Sequence, residues 1–103
     1  MTLMNKLIIL KALSNDKRLQ ILEWLKDPQT HFPKEVRQAA CDRGICCSSI
    51  CSKSDLSQST ISSYLSLLEK AGLIVATRQG QWTYFRRNNE LIQNFIYELS
   101  TDI

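Results

Sequence analysis

Residues 52–87 read SKSDLSQSTISSYLSLLEKAGLIVATRQGQWTYFRR, and this stretch decides the fold. It predicts two short helices joined by a tight connection, then a two-stranded hairpin with a basic tip. In the second helix Ile61, Leu65 and Leu68 recur at i, i+4 and i+7, which makes one buried stripe. The exposed positions, Gln58, Ser59, Thr60, Ser62, Ser63 and Tyr64, carry short uncharged hydrogen-bonding groups. A helix facing only solvent is normally filled with long charged side chains of high helix propensity. Ser and Thr are poor helix formers, so an exposed face built from them needs another reason. Entry into a DNA major groove supplies one, because amide and hydroxyl groups read base edges there. The plain alternative is a polar cap, Ser57 to Thr60, opening an ordinary amphipathic helix. The basic hairpin that follows favours DNA.

Working outward, residues 46–53 read as the first of the two helices, with Cys46 near its N-cap. Leu56-Ser57 makes the turn, and Ser57 caps the second helix over 58–71. Gly72 suits the left-handed position that ends it. Residues 73–77 are apolar and partly β-branched and read as a strand. Arg78-Gln79-Gly80-Gln81 is the turn, and residues 82–86 alternate as the returning strand. A last helix over 89–102 gathers Leu91, Ile92, Phe95, Ile96 and Leu99 on one wide face.

Toward the N-terminus, Leu3, Leu7 and Leu10, with Met4 and Ile8 beside them, give an apolar stripe on a first helix ending near Lys11. Asn15 is a good N-cap and Asp16 favours the positive end of the helix dipole. The second helix spans about 16–26, with Leu19, Leu22 and Leu25 inward and Ile21 and Trp24 widening the face. Asp27-Pro28 stops it. From 28 to 44 the signal weakens; residues 33–41 have room for a helical turn or two within a long connection.

A chain of 103 residues with 44% hydrophobic content is one domain, or one subunit whose interface completes the core. No apolar run approaches the ~20 residues of a membrane span. The N-terminus lacks the layout of a secretory signal. Net charge is only +3, but it is unevenly placed. Residues 57–88 hold Lys70, Arg78, Arg86 and Arg87 against Glu69 alone, whereas 89–103 hold Glu90, Glu98 and Asp102 with no basic residue. Positive charge thus gathers where phosphate contacts would be wanted. Cys41, Cys46, Cys47 and Cys51 lie within eleven residues, too close together to staple distant parts of the chain. With no secretion signal this predicts a reducing cytoplasm with free or metal-bound thiols.

The predicted fold is mainly α with a small β-hairpin wing, in the order helix–helix–helix–helix–hairpin–helix: a winged helix-turn-helix. At this point the chain resembles the arsenical-resistance-repressor (ArsR/SmtB) family of bacterial regulators. Three blocks carry the resemblance: ALSNDKRLQIL at 12–22, LSQSTIS at 56–62, and LEKAGL at 68–73 with RQGQWTY at 78–84. The long 28–44 connection departs from the family pattern. The resemblance implies a homodimer joined through about 1–12 and 89–103, with a reading head over 46–88, that occludes a palindromic operator and is released by a signal. The wide apolar faces of the terminal helices agree with dimerisation. Candidate DNA contacts are Ser57, Gln58, Ser59, Thr60, Ser62, Ser63 and Tyr64 on the reading helix and Arg78 on the wing. Arg86 and Arg87 lie at the wing's far end.

Some members of the family sense arsenite or soft metals through cysteines, in a C-V-C-x-x-C pattern, on the helix before the reading helix. Here the region reads CCSSIC over 46–51, so the first and last cysteines match while Ser48 takes the middle place and the extra thiol moves to Cys47. Cys46, Cys47 and Cys51 are therefore candidate ligands for arsenite or a soft metal ion, with Cys41 a possible fourth. A thiol-redox switch is a second reading. A third is burial, since Cys47, Ile50 and Cys51 share the face that should meet the core. Residues 89–102 lack histidine, which removes the family's zinc site on the last helix. An enzyme finds no support: there is no histidine beside a nucleophile, no glycine-rich phosphate loop and no C-x-x-C pair. The remaining alternative is a winged helix that binds protein rather than DNA.

Overall fold

Hydroxyl and amide side chains set the ends of the helices. Thr2 accepts the Asn5 N–H at 3.1 Å and opens α1 (Leu3–Leu13). Asn15 accepts the N–H groups of Lys17 and Arg18, at 2.9 and 3.0 Å, and opens α2 (Asp16–Lys26). Both are the side-chain caps that free helix N–H groups require. The computed structural model describes residues 2–40 and 44–103. After α2 come α3 (Pro28–His31), α4 (Lys34–Ala40), β1 (Ile45–Cys46), α5 (Cys47–Ser54), α6 (Gln58–Lys70), β2 (Ile74–Gln79), β3 (Trp82–Arg87) and α7 (Asn89–Asp102). The three strands form an antiparallel sheet in the order β1-β3-β2.

The connection that read as weak signal is mostly ordered into α3 and α4. Phe32, which closes α3, is buried edge-on against Trp24 of α2, with ring centroids 6.4 Å apart. The Lys53 ammonium of α5 lies 5.2 Å from the Trp24 ring and 5.7 Å from the Phe32 ring. Such contacts join α2, α3 and α5 through one aromatic pair and one cation. At its far end the connection returns through β1, which pairs Ile45 with Phe85 and Cys46 with Tyr84. Gly44 enters that strand with φ of 108°, and a Cβ there would collide with the Phe85 carbonyl. Only glycine lets the backbone approach so closely.

One apolar core unites the elements. Ile50, Ile61 and Leu68 are fully buried, and Ile21, Leu65, Leu73, Ile74, Phe85, Ile92 and Phe95 close around them. The stripe read on the 58–71 helix is thus the inner face of α6. That helix ends as read: Gly72, with φ of 81°, donates to the Glu69 carbonyl and Leu73 to that of Leu68. This is the Schellman pattern, which satisfies the last free carbonyls.

One reading is corrected. Leu19 does not point inward; it is 50% exposed beside Leu13, Leu22, Ile92 and Ile96, because α2 turns its Ile21, Trp24 and Leu25 side to the core. The apolar stripe read on α1 faces outward, with Leu3, Met4, Leu7, Ile8 and Leu10 all exposed, while Ile9 and Ala12 are the residues that α1 buries. Lys6 of α1 forms an ion pair with Asp102 of α7, which links the two terminal helices. Among the described residues no helix is long and apolar enough to cross a membrane.

Candidate nucleic-acid interface

The tight step from α5 to α6 places the reading helix. Ser54 donates to the Cys51 carbonyl at 2.7 Å and accepts the Leu56 N–H at 3.1 Å. Asp55 between them adopts a left-handed conformation with φ of 60°, which short polar side chains tolerate better than most. Ser57 then caps α6: its Oγ accepts the Thr60 N–H at 3.2 Å and donates to Thr60 Oγ1 at 2.8 Å, with Ser59 Oγ 3.2 Å away. The hydroxyls of Ser57 and Thr60 are therefore engaged in forming the helix.

With its apolar stripe buried, α6 leaves Gln58, Ser59, Ser62 and Ser63 exposed, followed by Ser66 and Leu67. Up to Glu69 this outer face carries no charge. Tyr64 is half-buried; it packs on the core and lies beneath the guanidinium of Arg18. Of the reading-helix candidates, four are thus open to a groove, while Ser57, Thr60 and Tyr64 also serve the fold. Ser66 and Leu67 continue this exposed face at i+4 from Ser62 and Ser63.

The wing turns one step later than read. Gln79 pairs with Trp82, so the connection is Gly80-Gln81, and Arg78 lies within β2 opposite Thr83. Its side chain is exposed, as are Gln79, Gln81 and, to 49%, Trp82. Arg87 at the other end donates to Asn89 Oδ1 at 2.8 Å, tying it to the start of α7. Arg86 is exposed.

Between α5, α6 and the wing lies an open cleft of about 680 Å³. Cys46, Cys47 and Cys51 line one side, Gln58 and Ser62 the second, and Arg78 and Trp82 the third. All three sulfurs are free thiols of intermediate burial. Burial pushes the Cys47 thiol up from its ordinary pKa, and the neighbouring Cys46 and Cys51 add to the effect. The Ser48 hydroxyl donates to Cys46 Sγ at 3.3 Å, and the Cys51 thiol donates to the Leu56 carbonyl at 3.6 Å. Among the described residues no three His, Cys, Asp or Glu side chains form a group able to hold a metal ion. Cys41 lies outside the described residues.

The chain and its fold have counterparts among known proteins. A family model described as "Bacterial regulatory protein, arsR family" matches residues 41–75. YbzH of Bacillus subtilis (strain 168), described as an uncharacterized HTH-type transcriptional regulator, is 44% identical over 100 residues, covering 97% of this chain and 100% of its own. Among solved structures, the homodimeric winged helix-turn-helix domain of Mb0332 from Mycobacterium bovis, a possible ArsR-family regulator, is similar with a TM-score of 0.65 and 27% identity, covering 97% of this chain and 81% of that one. HlyU from Vibrio cholerae is similar with a TM-score of 0.64 and 25% identity, covering 92% of this chain and 87% of that one. The capped reading helix, its wing and a relative of this identity along its whole length together make this chain a member of the ArsR family of bacterial winged helix-turn-helix transcriptional regulators.

Proposed function

We propose that the protein is a homodimeric repressor that occludes a palindromic operator in the cytoplasm and is released by a thiol-reactive signal. The observation that carries the DNA reading is the exposed, uncharged face of Gln58, Ser59, Ser62 and Ser63, flanked by Arg78 on the wing. Gln and Ser side chains suit base edges, and Arg78 suits a phosphate or the minor groove. Ser57, Thr60 and Tyr64 act in the same contact surface mainly by holding the helix in place.

Dimerisation is supported by the outward apolar faces of α1 and α7, where Leu3 is 82%, Met4 66%, Ile96 53% and Tyr97 68% exposed. Contiguous apolar surface of this kind marks an interface. The homodimeric state of Mb0332 agrees. Two-fold symmetry then sets the two reading helices about 34 Å apart, one turn of DNA.

The test is selection from a random duplex library at low salt, followed by titration of the selected site. The expected result is a palindrome with half-sites one turn apart, bound by two chains. Leu7→Glu should give a folded monomer by sedimentation with far weaker duplex affinity. Absence of duplex binding at low salt would leave a protein-interaction module instead.

The signal reading rests on Cys46, Cys47 and Cys51 lining the cleft beside the reading helix. A ligand there releases DNA only if it prefers the weakly binding state. Arsenite or a soft metal ion is one such signal, since thiolates are soft ligands; it would have to draw the sulfurs together, and a mild oxidant is another. The double variant Cys47→Ser/Cys51→Ser should bind the selected duplex as the parent does and no longer be released by arsenite, zinc or oxidant. Unchanged release would remove these sulfurs from the response.

A further inference from the structure

The cleft has features that a bare ion does not need. Its volume, about 680 Å³, lies within the range of small-molecule sites. Trp82, half exposed, gives it a flat aromatic wall, and Phe85, Leu65 and Ala76 extend the apolar lining. An ion would instead ask for three converging donors, which the described residues do not offer. The three sulfurs are also unequal. Burial, and then its neighbours Cys46 and Cys51, push the Cys47 thiol above its ordinary pKa. Cys51 commits its S–H to the Leu56 carbonyl. Among the described residues Cys46 is the one that receives a hydrogen bond, from Ser48, and as N-cap of α5 it makes no side-chain cap bond of its own. That contact orients the Cys46 sulfur in the cleft and leaves its own S–H uncommitted among the described residues.

We propose that this cleft is a covalent docking site for a flat, apolar α,β-unsaturated carbonyl compound, with Cys46 as the sulfur that captures it. The Cys46 sulfur, having given its proton to solvent, attacks the β-carbon. A carbon–sulfur bond forms, the carbon–carbon π bond breaks, and its electron pair moves to the carbonyl oxygen as an enolate. The α-carbon then takes a proton from solvent. Nothing leaves, and no oxidant or reductant is consumed.

The captured molecule lies against Trp82 and fills the space between Gln58 and Ser62 on one side and Arg78 on the other. It is also fastened to the sheet, because the Cys46 backbone pairs with Tyr84 of β3. Reading helix and wing can then no longer close on one DNA segment. This consequence rests on the repressor reading above; the chemistry of the cleft does not.

The test compares N-phenylmaleimide with N-methylmaleimide, each rate normalised to its rate with free cysteine. Adducts are located by peptide mapping, and binding of the selected duplex is followed in parallel. The expected result is one early adduct on Cys46, a preference for the ring-bearing probe of about tenfold, and loss of duplex binding in step with the adduct. Cys46→Ser should keep duplex binding and lose the response, and Trp82→Ala should erase the ring preference. Equal labelling of the four cysteines, no ring preference, or duplex binding undisturbed by a complete Cys46 adduct would overturn the proposal. If the unmodified protein binds no duplex, the repressor reading fails, and the site and ring preference still decide the cleft.

Discussion

The guanidinium of Arg18 lies over the ring of Tyr64, 5.3 Å from its centroid. The same side chain donates through Nε to the Ala12 carbonyl at 2.7 Å and through Nη2 to the Lys11 carbonyl at 3.2 Å. Those carbonyls belong to the last turn of α1, where a helix has acceptors left over. One arginine on α2 therefore ties the outward apolar helix to the reading helix. Arg18→Ala should lower unfolding free energy by about 1.5–3 kcal/mol, measured by urea titration. Arg18→Lys should recover only part of it, because an ammonium keeps the charge over the ring and loses the fork.

Serines that build α6 and serines that face outward should separate in experiment. Ser57→Ala removes the cap on Thr60 and should cost about 1 kcal/mol of stability. Ser62→Ala should leave stability within about 0.5 kcal/mol, yet weaken binding of the selected duplex and relax base preference at one position. Thermal melts and duplex titrations on the two variants make the comparison; equal stability losses would contradict these cap assignments.

Arg78 is a different kind of contact. A side chain that neutralises a phosphate weakens all sequences alike when removed. Arg78→Ala should therefore lower affinity for selected and random duplexes by the same factor. It should also reduce the slope of log affinity against log salt by about one per chain. A change in sequence preference would place Arg78 on base edges instead.

The fold carries a weak alkaline sensitivity at Cys47. Its thiol pKa is raised in the folded chain, so the folded state holds a proton that the unfolded state releases first. The associated stability is fully present below the ordinary thiol value of about 8.5. It declines as pH rises from there through the folded-state pKa. Urea unfolding at several alkaline pH values should show a steeper decline for the parent than for Cys47→Ala.

The reading-helix register was legible because Ile61, Leu65 and Leu68 keep the helical period and Ser57 and Gly72 punctuate its ends. The outward turn of the α1 stripe was legible only as an excess of apolar residues; which side meets the core depends on α2 packing against Ile9 and Ala12. Leu19 misled for the same reason, since a broad apolar helix such as α2 offers more than one plausible inner face. The two-residue strand β1 is too short to show alternation, and Gly44-Ile45 was its one local mark. The cleft was not legible at all. It exists because β1 pairs with β3 and brings the α5 thiols opposite Trp82, a relation between residues far apart in sequence.

The segment between α2 and α5 is fastened at both ends, by Phe32 against Trp24 and Lys53, and by Ile45 against Phe85. Between these anchors Val36 packs on the core, Arg37 donates to the Phe32 carbonyl, and Gly44 fits against the Phe85 backbone. Lengthening a loop whose ends are already fixed costs only a slowly growing entropy. An insertion that leaves Val36 and Gly44 in place should therefore let the gene gain codons while the reading head stays in register. Natural variation, or a grafted tag, belongs there rather than in the wing.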